Sequence, residues 1–421
     1  MKICVRLKRL NLVNGVGSNC TRWWRRSIRR PVSTRWTTLL IVSALLASPA
    51  AAQLPGSVAP TATASVVTVL PGSLVYNAFG HGAIRIVDPE SGLDVLFNYG
   101  TFDFGPDFVP RFVLGKLDYS LSASWTGPSF RAYQVENRTI VEQQLDLSSD
   151  LVSRLYRYLA INYLPENRYY RYDFFFDNCS TRIRDALEAV GGDSLRFVDR
   201  PTSDSFRDLL HPYLAHRPFL ETGIDMLVGS DADVVASYEQ RAFLPVEFMH
   251  QLDDATFAGR PLVSRTDTIF VAEQRRSASR LPGYVGWLLL LLVCWASIRT
   301  RRPDGLRRTD ATLFILSGAA GLVILFMWFA TDHVVTDANL NLAWTWPTNV
   351  LVGLAVLKRS RSRWIAPYLL TYAIALSIVA VGWPFWKQDL PDLLFPIVLL
   401  LLLRAVERWR AQRHAAATES L

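Results

Sequence analysis

Cysteine is scarce in this chain, with four in 421 residues. Cys4 and Cys20 fall in a basic leader and Cys294 in a long apolar run, which leaves Cys179 alone in the mixed stretch between them. A lone cysteine excludes an internal disulfide, and an exposed free thiol outside the cell is an oxidation hazard. Histidine is also sparse. His211, His216 and His250 have no metal-ligand spacing, so no metal is expected, and no other cofactor is called for. Acid is missing from the first 87 residues, and Asp88 is the first. Ten of the 45 basic residues lie within the first 35; without them, 35 basic residues face 37 acidic ones. That balance excludes an electrostatic case for nucleic acid. No internal repeat is present.

What is there begins with a basic segment, the apolar run 39–46, and Ala50-Ala51-Ala52 before Gln53. This pattern predicts a signal peptide over 1–52, cleaved after Ala52. Apolar spans are expected at about 281–298, 311–331, 342–357, 364–384 and 391–405. Arginine and lysine crowd the loops after the first, third and fifth spans. The other two loops carry Asp332, Asp337, Asp389 and Asp392, with Lys387 as their one basic residue. By the positive-inside rule, residues 53–280 lie outside, a helical domain over 281–406 crosses the membrane, and 407–421 form a cytoplasmic tail. The expected location is a bacterial inner membrane with a periplasmic domain.

Residues 53–280 suffice for one domain with a core. Val66–Leu70, Ala83–Val87 and Val95–Tyr99 are strand candidates, and Asp88-Pro89 is a turn. Leu151, Leu155, Tyr156, Leu159 and Tyr163 share a helical face. Asp177 or Asn178 caps a second helix that ends near Gly191-Gly192. Residues 265–282 read as a tether. Strands early and helices late give an α+β class.

With Asn178 as the cap, Cys179 opens a helix whose positive end favours a thiolate and whose N–H groups can hold an oxyanion. His81, flanked by Gly80 and Gly82, is the candidate base, and Asn98 on the next strand is the candidate group to orient it. Asn178 and Arg182 are candidates for substrate contact, or a plain cap and a solvated face. His333 sits at the outer edge of the spans with Asn339 and Asn341 beyond it. These three are candidates to hold a lipid carbonyl or an acceptor peptide, or simply a wet loop.

The order of histidine, strand, then a later Asn-Cys at a helix start is similar to the circularly permuted papain-like superfamily. Phe79-Gly80-His81, 97–102, 177–185, Ser205-Phe206-Arg207, and the loop from Asp332-His333 through 339–344 to Pro347 resemble the Lnb-type lipoprotein N-acyltransferases. The resemblance covers most of 65–400. It implies a permuted papain-like periplasmic domain followed by an all-α bundle of about five transmembrane helices. It also implies acyl transfer from a phospholipid, through a thioester on Cys179, to the α-amine of a lipoprotein. A cysteine peptidase or amidase acting on cell-wall peptide is the rival class, and a thiol-bearing sensor or scaffold is the third. Acyl-chain preference and oligomeric state are not legible.

Overall fold

The computed structural model describes residues 54–102, 105–273, 281–300 and 305–419. The expected leader 1–52 lies outside them.

β1 (Thr63–Val69), β2 (His81–Asp88) and β3 (Leu93–Thr101) form where β-branched and aromatic residues concentrate. Helix α1 (Phe108–Val113) follows, then β4 (Asp118–Trp125), α2 (Thr126–Val135) and β5 (Ile140–Leu145). After α3 (Ser149–Asn162) and the short β6 (Tyr169–Arg171) comes α4 (Cys179–Gly191). β7 (Leu195–Arg196), α5 (Phe206–Leu214), α6 (Pro218–Leu227) and α7 (Pro245–Asp254) lead to β8 (Thr256–Phe257), β9 (Arg260–Pro261) and β10 (Val263–Phe270).

The main sheet has seven strands in the order β10-β5-β1-β2-β3-β4-β6, and every neighbouring pair is antiparallel. Period two sorts its side chains between two faces. Val67, Val69, Ala83, Leu96 and Ile140 pack with Phe130 and Tyr133 of α2. On the other face, Phe97 meets Tyr156 of α3 and Gly82 lies against Ile183 of α4. β10 adds the edge strand, so residues 263–270 belong to the sheet rather than to a tether. An edge with unpaired N–H and C=O groups on β5 invites such a partner.

The C-terminal domain is helical: α8 (Leu281–Thr300), α9 (Arg307–Ala330), α10 (Asn349–Leu357), α11 (Ile365–Gly382) and α12 (Phe395–Glu419). The stretches Arg307–Ala330 and Ile365–Phe385 are long and apolar enough to cross a membrane. The expected third span is different. α10 has nine residues, and residues 340–348 before it run as turns. Those turns lie directly on α9, because a Cβ on Gly321 would sit 1.6 Å from the Thr345 carbonyl oxygen. Buried Asp310 binds Arg404 of α12 at 2.6 Å and also pairs with Arg408, and Arg404 reaches Ser297 of α8. One carboxylate thus fastens three helices.

Residues from Gly56 to Leu421 form one compact unit. The C-terminal end of α6 enters a notch in the outer loops of the helical domain. Asn339 Nδ2 donates to the carbonyls of Met226 (2.8 Å) and Leu227 (3.0 Å), and Gly229 N–H donates to Val335 O (2.8 Å). Gln388 Nε2 donates to Val228 O at 3.2 Å. From within the N-terminal domain, buried Arg207 holds the same segment. Its guanidinium donates to Asp225, Asp233, Val228 O and Gly229 O at 2.8–3.3 Å. A second docking point joins α1 to the loop after α9, where Asp332 N–H donates to Leu114 O (3.0 Å) and Arg171 pairs with Asp332.

Candidate functional site

Asn178 caps α4. Its Oδ1 accepts from the N–H of Ser180 (2.8 Å) and Thr181 (3.2 Å), while Thr181 Oγ1 accepts from the Asn178 N–H (2.8 Å). Its Nδ2 donates to the carbonyls of Phe174 and Phe243, both at 2.8 Å. Every group on that buried amide is engaged, so Asn178 fixes where the helix starts. Cys179, part-buried, is the first helical residue.

Burial pushes the Cys179 thiol above its ordinary range. Hydrogen bonds from the Gly82 N–H, from the Ser180 hydroxyl and N–H, and from its own N–H pull the other way. Burial outweighs the helix end, so the resting thiol is protonated. The helix start alone favours the thiolate, and desolvation reverses that balance.

His81 opens β2, paired with Val69, and is not in a turn. Its Nε2 is 3.2 Å from Asn98 Oδ1. The Asn98 amide nitrogen donates to Leu96 O (3.1 Å) and Ser124 Oγ (3.0 Å), so its oxygen must face the ring. Asn98 therefore accepts the Nε2 proton and leaves Nδ1 as the basic nitrogen. Burial, with the nearby Arg138 guanidinium second, lowers the His81 pKa to about 4 against the opposing bond from Asn98, so the ring is neutral at neutral pH.

Two glycines let the sulfur approach this pair. A Cβ on Gly100 would lie 3.5 Å from Cys179 Cβ, and Gly82, next to His81, turns its N–H to the sulfur. Gly100 has φ of 83° at the point where β3 slips register against β4, a conformation that other residues adopt only with strain. Tyr133, whose ring centre is 6.3 Å from that of His81, is also within electrostatic reach of Cys179. The thiol, the ring and Asn98 thus share one corner of the sheet.

The remaining candidates are used elsewhere. Arg182 pairs with Asp177 at 2.5 and 2.7 Å and lies 3.7 Å over the Tyr170 ring. Asn339 and Asn341 are buried in the docking notch. Asn341 Nδ2 donates to Asp225 O at 3.3 Å and its Oδ1 accepts from Trp344 Nε1 at 3.0 Å. Both amides are occupied in joining the domains rather than facing an open surface. His333 Nε2 is 2.9 Å from the Phe112 carbonyl oxygen, which ties it to α1. Sequence reasoning missed Tyr170 and the role of Arg207. The run Ser205-Phe206-Arg207 was visible, but nothing local says that its arginine is buried.

A thiol-bearing sheet-and-helix domain docked on helices long and apolar enough to cross a bilayer defines a membrane protein. Residues 51–211 match the Lnb N-terminal periplasmic domain, and residues 274–414 match the Lnb transmembrane domain. The chain belongs to the Lnb-type family, as a membrane protein with a periplasmic N-terminal part. No match was found among curated proteins or solved structures.

Proposed function

We propose that this protein is an acyltransferase of a bacterial inner membrane. It moves an acyl chain from a phospholipid to Cys179 and then to the N-terminal amine of a lipoprotein. The observation that carries the proposal is the Cys179 thiol at a capped helix start, held by the N–H of Gly82 next to a neutral His81 whose tautomer Asn98 fixes, in a domain fastened to membrane-spanning helices.

In the first half-reaction the Cys179 thiol gives its proton to His81 Nδ1 as sulfur attacks the ester carbonyl. Both groups start neutral, so proton transfer accompanies attack rather than preceding it. The tetrahedral intermediate expels the lyso-phospholipid oxygen, which takes the proton from His81, and the thioester remains. In the second, the acceptor amine attacks the thioester, an amide forms, and the proton returns to the thiol through His81. Docking of α1 against the loop beyond α9 supports a lipid donor. Val109 and Phe112 of α1 are 66% and 49% exposed at that edge.

Incubation of purified protein with phospholipid, before any acceptor is added, should give an acyl adduct on Cys179 by intact mass, released by neutral hydroxylamine. Cleavage of peptidoglycan fragments without such an adduct would replace this reading with an amidase.

A further inference from the structure

One hydroxyl at the candidate site has no structural use. Tyr170, on the short strand β6, is buried; the Gly100 N–H is directed at its oxygen, but its O–H is donated to no acceptor among the described residues. An unpaired buried hydroxyl costs roughly 1–3 kcal/mol. The surroundings hold it rigidly. Its ring meets the Tyr99 ring edge-on with centres 6.2 Å apart, and the Arg182 guanidinium lies 3.7 Å over its face. Asp177 in turn fixes Arg182. The hydroxyl points at the thiol corner. It lies 3.9 Å from the position a Cβ on Gly100 would take, and Cys179 Cβ lies 3.5 Å from that same position.

We propose that Tyr170 is a catalytic residue, donating its O–H to the oxyanion that forms when Cys179 attacks an acyl carbonyl. When the S–C bond forms, the carbonyl π pair moves to oxygen, and the Tyr170 hydroxyl and the Cys179 N–H, the first of α4, stabilise that charge. The pair returns to carbon as the C–O bond to the leaving group breaks. The Tyr170 proton stays on Tyr170 throughout. Burial holds the phenol far above its ordinary range, and the neighbouring Cys179 adds to that. The guanidinium over the ring opposes both and makes the hydroxyl a better donor. Gly100 is required because any side chain there would enter the space between hydroxyl and sulfur.

The inference rests on acyl transfer at Cys179 but not on the nature of the donor, so p-nitrophenyl butyrate is the probe. With full-length protein in detergent, Tyr170→Phe should slow acylation of Cys179 about 10²-fold, as loss of one oxyanion donor does elsewhere. KM should stay nearly unchanged. Alkylation of Cys179 by iodoacetamide creates no oxyanion and should stay within twofold of wild type. Acylation by the ester within threefold of wild type overturns the proposal, as does a wild-type Cys179 that the ester does not acylate. Should Tyr170→Phe also lose alkylation, fluorotyrosine at position 170 keeps the shape and strengthens the donor. A rate that rises with donor acidity supports the role, and a flat rate overturns it. Acylation by the ester but not by phospholipid would sink only the lipid-donor reading.

Discussion

Gly229→Ala should uncouple the two domains without touching the thiol. A Cβ there would sit 1.7 Å from the Asp337 carbonyl oxygen, in a loop of the helical domain. The ordinary closest approach is about 3.0 Å, so one backbone must retreat by about 1.3 Å. Gly229 N–H to Val335 O is 2.8 Å, and Asn339 Nδ2 to Met226 O is also 2.8 Å. A retreat of that size along either bond takes it beyond hydrogen-bond length. Two or three buried bonds lost at roughly 1–1.5 kcal/mol each weaken docking by about 2–4 kcal/mol. An error of about 1 Å in donor placement can itself cost ~10²-fold in rate. Acylation of Cys179 from bilayer phospholipid should therefore fall about 10²-fold. Alkylation of the same thiol by iodoacetamide should not change. Gly223→Ala, six residues earlier on α6 with nothing within 4 Å of the new Cβ, is the control and should match wild type. Bilayer turnover by Gly229→Ala within twofold of wild type would refute the claim that this contact places the donor.

Cys179→Ala and Cys179→Ser should abolish transfer to a diacylated lipopeptide while leaving the thermal midpoint within a few degrees, since the thiol packs little core; transfer retained in both removes the nucleophile from the scheme. His81→Asn should slow acylation by about 10²–10⁴-fold. The His81 pKa of about 4 against an ordinary 6.5 makes the folded state bind fewer protons between those values, so its stabilising contribution is complete above pH 6.5 and is lost as pH falls toward 4. It amounts to at most about 3 kcal/mol, and the drop in thermal midpoint from pH 7 to 4.5 should be smaller in His81→Asn; an equal drop means other groups carry it. Phe112→Asp should reduce turnover of bilayer lipid but not of p-nitrophenyl butyrate, because exposed Phe112 sits where α1 docks at the end of a helix apolar enough to cross a membrane; parallel losses on both would show damage to the site instead.

The features that depend on local chemistry were legible in the chain. Alternating Ala83–Val87 could only be a half-buried strand, and Asn178 before Cys179 with Thr181 three residues on made a capped helix start. The isolation of Cys179 singled it out as the candidate nucleophile, and the apolar runs of α9 and α11 marked helices long and apolar enough to cross a membrane. His81 and Asn98 were joined as a guess about neighbouring strands, and the register of β2 and β3 brought them to 3.2 Å.

Other outcomes were not legible there, because they depend on burial and on residues far apart in the chain. Desolvation, invisible in a string of letters, sets the thiol and imidazole both neutral. Strand pairing across more than a hundred residues put 265–270, the first part of the expected tether 265–282, into an edge strand. Glycines on α9 drew residues 345–350 onto that helix and shortened the third span. Asn339 and Asn341 look like polar loop residues in sequence, yet the end of α6, more than a hundred residues upstream, covers them and occupies their amides. The oxyanion donor was hidden for the same reason. Tyr170 lies in a run of tyrosines, and only the approach of Gly100 and Cys179 singles out its hydroxyl.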